Sequence, residues 1–290
     1  MLALLKVKKN IEFNQRLGSI LEVLKSIAVS QFHILEGKLS VFEPFGKVLE
    51  SFFSLVDMNK VKHPFLDAGQ DTPVGVIAIT TDQGLLGGLN NRVMNAAMHI
   101  LNSRGGELIV LGEQGKTYAR YGKVPFVGFP GIVDDSRHRQ ALELRDYLFE
   151  KLGEGRFGAV KVVHPRSLSL INHRLEEVTL LPLSRQEKEA KEKDLKNDVD
   201  TSQMIFESSM ESTLEYLSYL WVGQKLSDIF GLSRLAELGA RYMHLEESTQ
   251  RIQDVNKKLK RQYFRCRHEM IDQSMRELFS ARILYAEEHG

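Results

Sequence analysis

The chain has little of several things, and each shortage excludes a class of function. Only one cysteine, Cys266, stands among its 290 residues. An internal disulfide is therefore impossible, and so is a thiolate-walled metal cage. A reducing compartment fits so cysteine-poor a chain. Neither charge is in surplus: 39 Lys and Arg stand against 38 Asp and Glu, a net +1. Proteins that grip phosphate backbones need a clear basic excess, so no nucleic-acid partner is expected. No apolar run approaches the ~20 residues that cross a bilayer. The opening MLALLKVKKN is too short an apolar stub for a secretory core. Any membrane contact is expected to come through partners. Proline is confined as well: the last of seven is Pro182, and nothing after it interrupts a helix.

From Phe206 to about Glu288 the sequence accordingly reads as helix almost throughout, with glycine only at 223, 231 and 239. At 1.5 Å per residue, ~80 residues would make a rod on the order of 120 Å long, far more than a small core can cover. Its second half carries a seam. Ile252, Leu259 and Cys266 step by seven, with Asn256, Tyr263 and Met270 between them. That alternation of threes and fours marks a helix lying along another helix. The N-terminal segment offers the partner through Leu17, Leu21, Leu24, Ala28 and Leu35, so residues 10–56 are expected to pair antiparallel with the C-terminal helix. The alternative, two ordinary bundle helices each burying one face, sits poorly with exposed faces as charged as QDVNKKLKRQ.

Between the ends the period changes. VGVIAIT, ELIVLG and AVKVVH read as buried strands, with RVMNAAMHILN and RQALELRDYLFEKL as helices between them. Such alternation implies parallel strands joined by crossover helices. The expected organisation is an N-terminal helix over 1–60, an α/β domain over 73–183, a charged linker over 184–205 and a C-terminal helix over 206–290. The linker's SRQEKEAKEKDLKNDVD is nearly all charged and reads as solvated. His138, His164, His173, Asp134 and Asp135 are scattered along the chain and read as surface or turn residues; no catalytic, cofactor-binding or metal-ligating set emerges.

The segment ITTDQGLLGGLNNRV, Ile79 to Val93, is the sharpest local feature. A strand, a glycine-rich turn and a helix suggest a phosphate cradle. Yet Gly84, Gly87 and Gly88 are spaced as neither GxxxxGK[ST] nor GxGxxG, and Asp82 stands where an anion would approach.

This segment resembles the (I/V)TSDRGLCGGLNxNV stretch of the gamma subunit of F-type ATP synthases, a central rotor shaft. The resemblance extends over essentially the whole chain. ILEVLKSIAVSQ, with Ser30 and Pro44 fourteen apart, is similar to that family's N-terminal run. AELGARYMHLEEST matches SExAARMxAMxxAT at Glu237, Ala240, Arg241 and Thr249, and YFRCRHEMIDQSM matches YNKARQAAITQEL at Tyr263, Arg267, Ile271 and Gln273. Departures occur too. Leu24 replaces a Met, Phe264 an Asn and His268 a Gln, and the chain ends LYAEEHG where the family usually ends in small apolar residues. These departures suggest a divergent or alternative-ATPase member.

The resemblance implies a fold: an antiparallel coiled coil of long N- and C-terminal helices with an inserted, small Rossmann-like α/β domain. It implies a non-catalytic rotor that needs no cofactor. Its partners would be alpha and beta catalytic subunits, an epsilon-type subunit and a membrane c-ring, at the cytoplasmic face of a bacterial or archaeal inner membrane. Leu24, Asp82, Gln83, Leu86, Arg92, Arg267 and His268 would face the catalytic subunits, and Met204, Phe206 and Glu207 the ring and epsilon-type subunit. In that picture the glycine loop is a close-packed corner in which glycine admits tight backbone approach. Two readings of other classes compete: an α/β nucleotide- or sugar-phosphate-binding protein with oligomerising helices, and a coiled-coil scaffold.

Overall fold

The computed structural model describes residues 2–39, 72–182 and 209–288. They form two compact units, Ala28–Tyr242 and the pair of segments Met1–Ile27 and Met243–Gly290. Two helices contribute to both: α1 (Leu2–Leu39) and α5 (Met210–Glu288, 79 residues). The stretch 40–60 and the linker 184–205 lie outside the described residues.

In the unit Ala28–Tyr242 the middle of the chain folds as β1 (Val74–Ile79), α2 (Leu89–Arg104), β2 (Gly106–Leu111), α3 (Glu113–Tyr121), β3 (Val127–Phe129), α4 (Arg137–Gly153), β4 (Ala159–Ser167) and β5 (His173–Leu181). The strands lie in the order β3-β2-β1-β4-β5. Four are parallel, and β5 returns antiparallel beside β4. Strand β1 explains why the sequence ran apolar without alternation: every residue is buried, because both sheet faces are covered. With period two, Val74, Val76 and Ala78 join Val93, Met94 and Ala97 of α2 on one face. Ile77 and Ile79 join Leu144 and Leu148 of α4 and Val222, Leu226 and Phe230 of α5 on the other. The first half of α5 is therefore part of the domain's own core.

The sequence carries little signal for α3, β3 and β5. In α3, EQGKTYARY buries only Gly115 and Ala119, too few apolar residues to announce a helix. Strand β3 has three residues. In β5 the charged HRLEE opens the strand, and only its last two residues are buried, so an edge position masks the pattern. Between α4 and α5, Arg145 is 8 % exposed, donates to Asp146 and to the Tyr219 hydroxyl, and lies 3.6 Å from the centroid of the Tyr219 ring. Farther along α5, Phe32 and Leu35 of α1 pack on Leu235 and Leu238, with Leu170 from the β4–β5 turn joining them.

In the other unit the predicted seam is present residue by residue. Ile252, Asn256, Leu259, Tyr263, Cys266 and Met270 are each half-buried, and the residues between them are exposed. On α1 the stripe runs Val7, Ile11, Asn14, Leu17, Gly18, Leu21 and Lys25. Leu24 is not part of it: 39 % exposed, it lies beside the seam, and Lys25 takes the inward position. Gly18 meets Ile252, and Lys25 donates to Glu246 at 2.7 Å, so the two helices run antiparallel.

His164 also departs from the surface role expected of it. On β4, 1 % exposed, its Nδ1 lies 3.1 Å from the Pro165 carbonyl and 3.3 Å from Ser233 Oγ of α5. Ser233 gives its own proton to the Ile229 carbonyl, so it can only accept from the imidazole. Burial pushes the His164 pKa below its ordinary value. The unfolded chain then binds a proton below about pH 6.5 that the folded chain refuses, and stability falls with pH through that range. Half-buried His173 is depressed by burial too and acts in the same direction. Melting temperature should therefore drop between pH 7 and 5, and drop less in His164→Gln; a titration of Tm against pH for both proteins checks this.

Candidate functional site

The loop between β1 and α2 is tied down from both sides. The Thr81 N–H donates to Asn90 Oδ1 at 3.2 Å, Asn90 Nδ2 donates back to Thr81 Oγ1 at 3.0 Å, and the Thr81 hydroxyl donates to the Gln83 carbonyl. The glycines serve a different purpose from the one expected. A Cβ at Gly84 or Gly88 would meet nothing within 4 Å, so tight approach is not their reason. Gly87 and Gly88 instead have φ of 57° and 85°, the left-handed region that side chains disfavour. Leu85, also at positive φ, is left 57 % exposed at the loop's tip.

Asp82 answers the phosphate question. Its Oδ1 accepts from the Glu113 N–H, the first residue of α3, at 3.0 Å, and a Cβ on Gly131 would collide with the same carboxylate. After β2 the chain reads GEQGKT, a strand, a glycine turn and a Lys-Thr opening a helix, close to a shortened phosphate loop. Here the donors of that turn already have partners. Glu113 N–H goes to Asp82, Gln114 N–H to the Thr81 carbonyl and Gly115 N–H to Thr80 Oγ1, while Lys116 Nζ donates to Glu113. A helix N-terminus attracts anions, and this one is occupied by the chain's own carboxylate. The spacing GxGxxG does occur, at Gly153, Gly155 and Gly158, but it ends α4 and precedes β4, the reverse of the strand-to-helix order a dinucleotide needs.

A cleft of about 310 Å³ opens beside the loop, lined by Thr81, Asp82 and Gln83, by residues 132–135 and by Arg234 and Glu237 of α5. Its floor is an ionic group. Glu237, 5 % exposed, accepts from Arg234 at 2.5 Å through one oxygen and from Arg241 at 2.6 Å through the other, and Arg234 also donates to Asp134. Asp134 and Asp135 thus come together with Asp82 in space, which nothing in the linear spacing revealed. All but Arg234 of the charged groups lining the cleft are acidic, so it suits neither a phosphate nor a nucleophile with its base. Among the described residues no group of three or more His, Cys, Asp or Glu could hold a metal ion.

The expected contact residues are only partly gathered. Asp82 and Gln83 share the cleft, both exposed. Arg92 is exposed on α2, 3.1 Å from His173 Nε2. Leu86 turns inward instead: 5 % exposed, it packs with Leu89 against Ala240 of α5 and holds the loop from beneath. Leu24, Arg267 and His268 are exposed on the helix pair. Met204, Phe206 and Glu207 lie outside the described residues.

These features define a class: an α/β domain built around one half of a long helix whose other half pairs antiparallel with the N-terminal helix. The family within that class follows from comparison. A family model described as ATP synthase matches residues 3–282, and the chain belongs to that family. It is 23 % identical to the ATP synthase gamma chain of Desulfitobacterium hafniense over 94 % of this chain and 95 % of that one. With the gamma chain of Heliobacterium modesticaldum the identity is 22 % over the same shares. Among solved structures, a chain of the Euglena gracilis mitochondrial ATP synthase assembly of OSCP, F1 and c-ring superimposes with a TM-score of 0.65 at 15 % identity, covering 96 % of this chain and 93 % of its own. A chain of the Tetrahymena thermophila central stalk and c-ring gives 0.60 at 18 %, over 79 % and 99 %. Among the described residues no helix is long and apolar enough to cross a membrane.

Proposed function

We infer that this chain is the central-stalk rotor subunit of a rotary ATP synthase or ATPase, coupling ion flow through a membrane ring to ATP synthesis or hydrolysis in an alpha-beta hexamer. One observation carries the reading: a single unbroken helix is core to the α/β domain along its first half and then paired with α1 as far as Met270. A part that transmits torque must resist twisting. Each charge crossing the membrane releases ~2.3 kcal/mol per 100 mV, so several deliver on the order of 10 kcal/mol per step. Two interlocked helices share that load where one would store it by bending.

In this reading the chain makes and breaks no bonds of ATP itself, and it holds no cofactor. Leu24, Arg267 and His268, exposed on the helix pair, face the alpha and beta subunits, and Asp82, Gln83 and Arg92 meet them beside the glycine loop. Met204, Phe206 and Glu207 would meet the c-ring and an epsilon-type subunit. The chain would sit at the cytoplasmic face of a bacterial or archaeal inner membrane, held by those partners. The fourfold partition into shaft helix, α/β domain, linker and second shaft helix belongs to the same reading. A phosphate-binding enzyme is disfavoured by the occupied N-terminus of α3.

Reconstitution with alpha and beta subunits tests it. The expected product contains one copy per three alpha-beta pairs and hydrolyses ATP only when that copy is present. Arg267→Ala should then lower hydrolysis about tenfold, the worth of one charge-assisted hydrogen bond. Its own melting temperature should not move, because Arg267 is exposed. A chain that stays alone and binds nucleotide stoichiometrically would end the rotor reading.

A further inference from the structure

We propose that Lys25 against Glu246, and Asn14 against Asn256, fix the axial register in which α1 and α5 pair. The inference rests on the helix pair alone and not on the rotor reading. An apolar seam is poor at choosing its register: burial is non-directional, and a shift of seven residues sets apolar against apolar again. Two polar layers interrupt this one. Lys25 Nζ lies 2.7 Å from Glu246 and 2.7 Å from Glu22 of its own helix, with its side chain 19 % exposed. Shifted by a heptad, Lys25 would face Gln253 or Gly239, neither a carboxylate.

The second layer is Asn256, half-buried on the seam, whose Oδ1 is buried and has no hydrogen-bond partner. Gly18 opposes Ile252, so four residues back along α1 and four on along α5 Asn14 stands across from Asn256. A buried amide with an unfilled acceptor costs stability, and a Leu in its place would remove that cost. What the amide supplies is discrimination: in either shifted register Asn256 would lie against an apolar partner, whereas here two amides share one layer. Lys25 and Asn256 therefore act as positioning residues for the pair.

Cross-linking of the full chain reads the register directly. With Cys266 replaced by Ala, Gly18→Cys with Ile252→Cys reports the native alignment, since a Cβ at Gly18 lies 3.9 Å from the Ile252 side chain. Gly18→Cys with Leu259→Cys reports a one-heptad shift. The native seam should form the first disulfide and not the second. Adding Lys25→Leu and Asn256→Leu together should raise the melting temperature, yet bring the shifted disulfide to a tenth or more of the product. Lys25→Glu should lower the native yield, and Lys25→Glu with Glu246→Lys should restore it, a rescue that mere packing would not give. If Lys25→Glu fails to fold by circular dichroism, the Leu variants decide. Exclusive native cross-linking in the double Leu variant, or no rescue by the swapped pair, would overturn the proposal.

Discussion

Glu237→Ala should unfold this protein more readily than almost any other single change to a charged residue. The carboxylate is 5 % exposed and takes one proton donor on each oxygen, from Arg234 and Arg241, whose side chains are 20 % and 15 % exposed. A buried pair adds little net stability over a well-packed apolar one, because its charges had to be desolvated. Removing one member is different, since it strands the others. Here two guanidiniums would lose a shared partner, while Arg234 would keep Asp134. The expected loss is about 3–5 kcal/mol, the range for broken buried pairs. Glu237→Gln keeps the shape and both acceptor directions save one, and should lose about half as much. Urea unfolding of the three proteins separates the cases: a midpoint unchanged in the Ala variant would mean that water already shares this site.

The second large effect belongs to Phe230→Ala. Its ring is fully buried on α5 against the sheet face of Ile77, Val160 and Val162. Truncating a buried Phe costs ~3–5 kcal/mol through lost transfer energy and the cavity left behind. On the same helix Phe264 is 53 % exposed, and Phe264→Ala should stay within ~0.5 kcal/mol. The contrast is diagnostic in reconstitution. Phe230→Ala should lower assembly only to the extent that it unfolds the chain, recovering on cooling. Phe264→Ala, if that face meets a partner, should weaken assembly with the fold untouched. Equal unfolding midpoints for the two variants would contradict the placement of α5 in the domain's core.

How much of this was legible beforehand depended on whether a residue's neighbours in space were also its neighbours in sequence. The seam from Ile252 to Met270 was readable because a helix repeats its contacts every three or four residues. The same rule misplaced Leu24, since hydrophobicity drew the stripe through a Leu when the inward position was the charged Lys25. Strands β1, β2 and β4 announced themselves as apolar runs buried on both faces. The charged edge strand β5 and the short β3 had no such pattern to offer. At the glycine loop the sequence marks Asp82 but not its partner, the Glu113 N–H at the start of the next helix, and it does not reveal the role of the glycines. Left-handed backbone and close approach call for the same residue, and only the conformation tells them apart. The ionic group around Glu237 needed Asp134 and Arg234 brought together across the fold, which no local spacing encodes.

The two halves of α5 also differ in how freely their sequence can drift. From Val222 to Ala240 most positions are buried, and each is answerable to a particular neighbour. Between Gln250 and Met270 only every third or fourth residue turns inward, and half-way at that, so the obligation is to a rhythm and not to identities. Substitutions can accumulate on the outward positions of that half as long as the beat is kept. A chain constrained in this way can share only 23 % of its residues with a relative and still align with it over 94 % of its length.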